Sequence, residues 1–124
     1  MTEDRDDVPL PGKPVRGSSS GRPIMAALNL LSRRWVLRIL WELRAGPRGF
    51  RELRALCDAM SPDTLSTRLR ELRVAGLVTQ HDNAAWQLTD LGVSLGPAMK
   101  ALDTWSQQWA GSLRPPQNPT SSNT

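Results

Sequence analysis

The residues whose types and spacing best suit binding chemistry lie between Ser61 and Val78, in the sequence SPDTLSTRLRELRVAGLV. Leu65, Leu69 and Leu72 recur at helical spacing and form one narrow apolar stripe. The remaining surface carries hydroxyl and guanidinium groups, which hydrogen-bond to phosphate oxygens and to the edges of nucleic-acid bases. Such a helix packs by one edge and presents the other edge to a partner, and DNA is the partner that this chemistry favours.

Local signals set the ends of this helix. Ser61 can cap it, and Pro62 suits the first helical position because the N–H that proline lacks is unpaired there. Gly76 can end it. The sequence therefore predicts a helix over about residues 61–75.

The outward face of this helix supplies the candidate contacts. At about 100° per residue, Thr67 and Arg70 point away from the leucine stripe, Glu71 flanks them, and Arg68 lies near the core edge. Arg68 is expected to pack its stem and to reach a phosphate, whereas Arg70 is the strongest single candidate. An ordinary solvated helix surface is the alternative interpretation. The candidate DNA contacts on the helix are Ser61, Thr64, Ser66, Thr67, Arg68 and Arg70.

Further arginines occur where other helices are predicted to begin. Arg48 and Arg51 lie at the start of a third helix, and Arg34, after Arg33, lies at the start of a second. Helix starts also offer N–H groups to phosphate. These arginines are interpreted as clamps on the DNA backbone, with surface salt bridging as the alternative for each.

The overall composition is compatible with a nucleic-acid partner without requiring one. The chain of 124 residues has 16 Lys and Arg against 12 Asp and Glu, a formal net charge of +4. Only Lys13 and Lys100 are lysines, so arginine, whose planar fork matches phosphate and guanine, supplies the rest. A coding bias toward arginine would explain the same excess.

The other residue types argue against several classes of protein. Cys57 is the only cysteine and His81 the only histidine, and the sequence has no glycine-rich phosphate loop, metal-spaced cluster or nucleophile elbow. Hence no catalytic residue, metal or cofactor is expected. No apolar run reaches the roughly 20 residues that cross a bilayer, and acidic residues stand where a signal peptide needs positive charge. The expected location is the cytoplasm, in association with the nucleoid.

Three helices are predicted before the one at 61–75. The first begins at Pro23, the second covers about Arg33–Arg44, and the third covers Phe50–Asp58. A tight connection joins the third to the helix at 61–75. Two short helices so joined, the second with a polar outer face, are a helix-turn-helix pattern.

A hairpin and a long helix are predicted to follow. Two β-prone runs, 77–81 and 85–89, flank a turn at 82–84. Thr89 then caps a last helix, which Pro97 should bend or weaken at one backbone bond. Spacings of 4, 3, 4, 3 and 4 give this helix a seam for lengthwise packing on another helix, formed by Leu91, Leu95, Ala98, Leu102, Trp105 and Trp109.

Polar, proline-containing ends flank these elements. Residues 1–21 and 114–124 are expected to be disordered tails because they cannot bury enough apolar surface, and residues 22–113 are expected to form one domain. The predicted fold is mainly α, of the α+β class: a winged helix-turn-helix with a short two-stranded β-wing and a long C-terminal dimerisation helix. A core this small would gain stability from a dimer interface.

Seven segments in register resemble the HxlR-type bacterial transcriptional regulators, which are winged helix-turn-helix proteins. They cover roughly residues 22–109. The segments are ALNLLSRRW (27–35), ILWEL (39–43), GPRGFREL (46–53), MSPDTLSTRLREL (60–72), AGLV (75–78), WQLTDLG (86–92) and the late Trp105.

The resemblance implies a homodimer, paired through its first and last helices, that binds a pseudo-palindromic operator. The helix at 61–75 would enter the major groove, and the hairpin would be the wing beside the minor groove. Members repress or activate genes, often in response to a small aldehyde, an oxidant or another electrophile. The implied dimer-interface residues are Leu28, Leu95, Leu102, Trp105 and Trp109.

Three positions depart from the family pattern. Arg22 stands where many members carry a cysteine before the first helix, and Cys57 is expected to be a buried, inert thiol. The wing has no lysine or arginine, only His81, so weak minor-groove contact is expected. Gly49 replaces a second basic residue, which removes one expected phosphate contact.

Two other functions are kept as alternatives. The uncharged wing, Gly49 and Asp63 suit a winged-helix protein-interaction module that has lost DNA binding, whereas an enzyme would need a fortuitous pocket. A small-molecule effector, if one exists, is expected to bind non-covalently near Trp105 or Trp109, for which core or interface packing is the simpler interpretation.

Overall fold

The computed structural model describes residues 8–14 and 21–113 of the chain. Residues up to Ser94 belong to one compact unit and those from Leu95 onward to a second. The elements of the described ranges are α1 (Pro23–Leu31), α2 (Val36–Leu43), α3 (Phe50–Leu56), α4 (Pro62–Val74), β1 (Val78–Gln80), β2 (Trp86–Leu88), α5 (Asp90–Ser94) and α6 (Gly96–Ser112).

Apolar residues of α2, α3 and α4 form the centre of the first unit. The predicted stripe of α4 is buried, and each of its leucines is no more than 1% exposed. Burying a leucine side chain contributes about 1.5–3 kcal/mol, so these helices supply much of the driving force for folding. The fully buried residues of the three helices are Val36, Ile39, Leu40, Leu43, Leu53, Leu65, Leu69 and Leu72.

The turn between α3 and α4 is tight and is held by two arginines. Asp58 and Ala59 both have positive φ angles, of 58° and 55°, which reverse the chain within a few residues. Arg38 donates a hydrogen bond of 2.6 Å to the Leu56 carbonyl, and Arg54 donates one of 2.6 Å to the Met60 carbonyl. This turn fixes the angle at which α4 leaves α3.

The strands β1 and β2 form the predicted hairpin. They pair in antiparallel register, with Val78 opposite Leu88 and Gln80 opposite Trp86. Arg48 extends the sheet through an isolated bridge, since its N–H donates to the Trp86 carbonyl at 2.9 Å and its carbonyl accepts from the Trp86 N–H at 2.7 Å. The bridge attaches the wing to the start of α3 and was not predicted from the sequence.

The second helix begins later than predicted. The expected start at Arg33 is wrong, because Trp35 adopts a left-handed conformation with φ of 77° and serves as the N-cap of α2. Arg33 and Arg34 therefore lie in the turn between α1 and α2. The third helix also ends at Leu56, two residues before the predicted Asp58.

The predicted long last helix is divided into two. Thr89 caps α5 as expected, accepting a hydrogen bond of 3.1 Å from the Gly92 N–H. The helix breaks at Leu95, and Pro97 lies in the first turn of α6. Proline lacks the N–H for a bond to the carbonyl four residues earlier, while Leu95 keeps right-handed helical φ and ψ angles of −75° and −13°.

The described part of the predicted N-terminal tail includes a buried residue. Val8 is 1% exposed, and the Gly12 N–H donates to the Gly21 carbonyl at 3.0 Å. The predictions of disorder for 1–7, 15–20 and 114–124 lie outside the described residues. Within those residues no helix is both long enough and apolar enough to cross a membrane.

Candidate nucleic-acid interface

The start of α4 presents the predicted hydroxyl groups in two different roles. Ser61 caps the helix, and its hydroxyl accepts from the Thr64 N–H at 3.4 Å. Ser66 and Thr67 are exposed, whereas Thr64 is half-buried. Ser66 and Thr67 are thus the hydroxyls of this face most accessible to a partner, while Ser61 stabilises the helix itself.

Arg70 lies in an open groove between α4, the start of α3 and the wing. The groove has a volume of about 340 Å³. Its lining contains no carboxylate, and two arginines and two side-chain amides supply hydrogen-bond donors. The lining residues are Gly49, Phe50, Ser66, Leu69, Arg70, Arg73, Gln80, Asn83, Ala84 and Trp86.

Arg73 joins α4 to the wing and was not among the sequence-based candidates. Its guanidinium carbon lies 5.4 Å from the centroid of the Trp86 ring, within cation–π range. Gln80 and Asn83 enter the same groove from β1 and the hairpin turn. The sequence signal for these three residues is weak, because it depends on how the hairpin folds back toward α4.

Glu71 is not on the outward face, contrary to the sequence-based assignment. It is 3% exposed and lies between two arginines. The Arg33 Nη1 donates to its Oε2 at 2.7 Å, and the Arg68 Nη1 donates to its Oε1 at 2.8 Å. The position of Glu71 around the helix did not predict its burial. A buried carboxylate needs a paired cation, and that cation, Arg33, lies 38 residues earlier in the sequence.

Arg68 is bonded within the protein. Besides its bond to Glu71, its Nε donates to the Arg34 carbonyl at 2.8 Å. The expected packing of its stem near the core edge agrees with its half-buried side chain. Arg34 itself is exposed, with its guanidinium carbon 5.6 Å from the ring centroid of Trp35.

The two arginines at the start of α3 differ in their surroundings. Arg48 is half-buried and forms an ion pair of 2.8 Å with Glu52, one helical turn away. Arg48 therefore forms a salt bridge, the alternative to a DNA contact that the sequence left open for it. Arg51 is exposed to solvent.

Cys57 is fully buried at the end of α3. Burial raises the pKa of its thiol, and the nearby Arg38 guanidinium partly opposes this shift. Arg38 is in turn paired with Glu42 at 2.9 Å, and this hydrogen bond raises the pKa of Arg38. The thiol is thus held in its protonated, weakly nucleophilic form. Among the described residues, no three His, Cys, Asp or Glu side chains cluster as a metal site.

Most residues expected at a dimer interface are exposed apolar side chains. Leu28 of α1 is 55% exposed; on α6, Leu102 is 47% exposed and Trp105 and Trp109 are each 54% exposed. The two tryptophan rings stack with centroids 5.6 Å apart. Leu95, at the helix break, is half-buried. Each of the two units therefore carries an apolar surface of its own.

A short helix, a tight turn, a polar-faced helix and a β-hairpin define a winged helix-turn-helix, a class of DNA-binding protein. The sequence model of the HxlR-like helix-turn-helix family matches residues 30–113. The chain belongs to this family of DNA-binding transcriptional regulators.

Individual relatives agree with the family assignment. The chain is 33% identical over 89 residues to the uncharacterized HTH-type transcriptional regulator YvaP of Bacillus subtilis (strain 168), covering 67% of this chain and 82% of YvaP. Quinone-bound YodB from B. subtilis has 28% identity and a TM-score of 0.65, covering 68% of this chain and 94% of YodB. A protein of Enterococcus faecalis V583 assigned to the MarR family of transcriptional regulators has 27% identity and a TM-score of 0.65, covering 79% and 94%.

Proposed function

We propose that this protein is a homodimeric transcriptional regulator that recognises a pseudo-palindromic DNA operator through α4. The observation that carries the proposal is the outer face of α4, where Ser66 and Thr67 are exposed and Arg70 lines a groove without carboxylates. In a helix-turn-helix the N-terminal half of this second helix reaches the base edges in the major groove.

The proposed contacts divide into base and backbone contacts. Thr64, Ser66 and Thr67 approach the bases, and Arg70 binds a guanine or a phosphate. Exposed Arg51 and Arg34 bind phosphates, with Arg48 and Ser61 in secondary positions because each already has a bond within the protein. This division keeps recognition mainly on α4.

The wing contributes through neutral side chains. The wing, residues 78–88, contains no lysine or arginine. Its titratable residues are His81 and Asp82, at the turn. Gln80 and Asn83 line the groove beside Arg70 and Arg73, and side-chain amides donate to phosphate oxygens. Because neutral amides release no counterions from DNA, we expect them to add little to the salt dependence of DNA binding, which depends on the arginines.

Dimerisation is proposed through the exposed apolar residues of α1 and α6. These are Leu28, Leu102, Trp105 and Trp109, with Leu95 at the start of α6. A twofold dimer would present two copies of α4 to two half-sites. A regulator of this kind acts in the cytoplasm, at the nucleoid.

An effector of this protein would bind without a thiol adduct. The structure of YodB carries a bound quinone. In the present chain Arg22 precedes α1 and Cys57 is fully buried with a raised pKa. A small molecule is therefore expected to bind non-covalently, near the stacked Trp105 and Trp109.

Selection from a random DNA pool tests the proposed function. We expect enrichment of two inverted half-sites about 10 base pairs, or one helical turn, apart. Binding should weaken linearly on a log–log plot against salt, because phosphate contacts release counterions. No enriched sequence, together with recovery of a stable protein partner, would instead support a winged-helix module that has lost DNA binding.

A further inference from the structure

A buried ionic cluster lies on the inner side of α4, away from the proposed DNA face. Glu71 is 3% exposed, and its two carboxylate oxygens each accept from a different arginine, Arg33 at 2.7 Å and Arg68 at 2.8 Å. A buried carboxylate is tolerated only when paired and hydrogen-bonded. The geometry of Glu71 is therefore tied to the positions of both arginines.

Arg68 also crosses from α4 to the turn between α1 and α2. Its Nε donates to the Arg34 carbonyl at 2.8 Å while its Nη1 binds Glu71. Arg33, the neighbour of Arg34, returns to the same carboxylate. Two hydrogen bonds thus connect α4 with two consecutive residues of this turn, and a third, between Arg68 and Glu71, lies within α4.

The connected turn has little freedom to adjust. It comprises only residues 32–35, and Trp35 adopts a left-handed φ of 77°, which is unfavourable for an aromatic residue. The Val36 N–H donates to the Arg33 carbonyl at 3.1 Å. Directly before the turn lies α1, with Leu28 and Ile24 each 55% exposed. The cluster therefore links α4 to the helix that carries a proposed dimer surface.

We propose that Arg68 and Glu71 are positioning residues, which fix the orientation of α4 relative to α1 and thereby the separation of the two recognition helices in the dimer. Arg68 makes no phosphate contact of its own. This inference rests on the proposed function, since it concerns how the dimer matches two half-sites.

The positioning role separates two components of DNA affinity. Non-specific binding depends on phosphate charge and tolerates small changes in helix orientation. Operator binding requires both copies of α4 to meet their half-sites in register. Loosening the cluster should lower operator affinity while leaving affinity for non-specific DNA unchanged.

Arg68→Lys and Glu71→Gln test this role. Lysine keeps the charge of Arg68 but cannot maintain both of its bonds in the planar geometry of a guanidinium. We expect operator affinity to fall about tenfold or more, comparable to a mismatched base pair, with unchanged non-specific affinity. In Arg68→Lys the buried Glu71 still pairs with Arg33, so this variant is expected to fold and provides the test if Glu71→Gln does not fold. Arg44→Lys, at the C-cap of α2, is the matched control and should leave both affinities unchanged.

Arg68→Met distinguishes positioning from direct contact. A lost phosphate contact would reduce the slope of log affinity against log salt by about one, and that result would overturn the proposal. Equal losses of specific and non-specific affinity, in proportion to the unfolded fraction in circular dichroism, would also overturn it. A wild-type protein without sequence preference would contradict the proposed function itself; a selective wild type with unaffected variants would contradict only the positioning role.

Discussion

At the scale of single residues, arginine side chains hold much of the first unit together. Arg38 and Arg54 bond to backbone carbonyls around the α3–α4 turn, and Arg33 and Arg68 neutralise Glu71. Arg48 pairs with Glu52. The planar fork of arginine suits internal carbonyls and carboxylates as well as phosphates. The large number of arginines is therefore explained in part by folding.

Arg70→Ala is the most direct residue-scale test of DNA recognition. We expect it to weaken operator binding by about 1–3 kcal/mol, the range for a good base contact, with the thermal midpoint of unfolding nearly unchanged. Arg44→Ala is the control, because Arg44 is an arginine at the C-cap of α2, outside the proposed DNA face, with its guanidinium carbon 3.6 Å from the ring centroid of Trp41. Equal affinities of the two variants in a fluorescence-anisotropy titration would refute the role of Arg70.

The buried thiol of Cys57 makes stability depend on alkaline pH. Burial raises its pKa in the folded protein, so above the pKa of about 8.5 in the unfolded chain the folded state binds more protons than the unfolded state. The free energy of unfolding should therefore fall as pH rises through that value. Urea titrations between pH 8 and pH 10 measure this fall. Cys57→Ala should lack it, and an identical decline in the variant would contradict the prediction.

At the scale of elements, local signals predicted most helix and strand positions. Pro62 and Gly76 bracket α4 because proline and glycine have strong backbone preferences. The burial of Glu71 was not predictable, because it depends on Arg33, 38 residues earlier. The left-handed Trp35 was not predictable either, because an aromatic residue rarely adopts a positive φ angle and nothing in its type signals one. The boundary between α5 and α6 at Leu95 is intermediate: Pro97 signalled a weak point in the helix, but not the residue at which one helix ends and the next begins.

Gly92 determines how closely α5 can approach the wing. A Cβ atom at this position would overlap the Leu77 carbonyl oxygen and crowd Leu88. Gly92→Ala should therefore destabilise the protein by about 1–3 kcal/mol or more, as overpacking does. Gly49→Ala is a matched control because an added Cβ there meets nothing within 4 Å. Denaturant titrations measure the free energy of unfolding of both variants. Equal values for Gly92→Ala and Gly49→Ala would show that α5 can move away from Leu77 and Leu88 at little cost.

At the scale of the whole molecule, apolar surface remains exposed on both compact units. Leu28 and Ile24 lie on α1, and Leu102, Trp105 and Trp109 lie on α6. Large exposed apolar residues at helical spacing are typical of interaction surfaces. The proposed dimer would cover these surfaces and present two recognition helices together.

Trp105→Glu tests the dimer. A charge placed in an apolar interface disfavours association, so we expect a monomer in light scattering and operator affinity reduced by at least about tenfold, because one half-site alone is then bound. Thr104→Glu adds the same charge to a neighbouring exposed position off the seam. A Trp105→Glu protein that remains dimeric would exclude this surface as the interface.

Val8 has a consequence for the shortest chain that can fold with full stability. Its side chain is 1% exposed, although it lies within a stretch whose composition resembles a tail. A truncation that begins at residue 22 would remove a buried anchor and uncover apolar surface worth about 1.5–3 kcal/mol, whereas a truncation that removes only residues 1–7 would retain it. We expect the thermal midpoint to drop only in the shorter protein. The folding unit of this regulator thus extends in sequence beyond the helices that define its class.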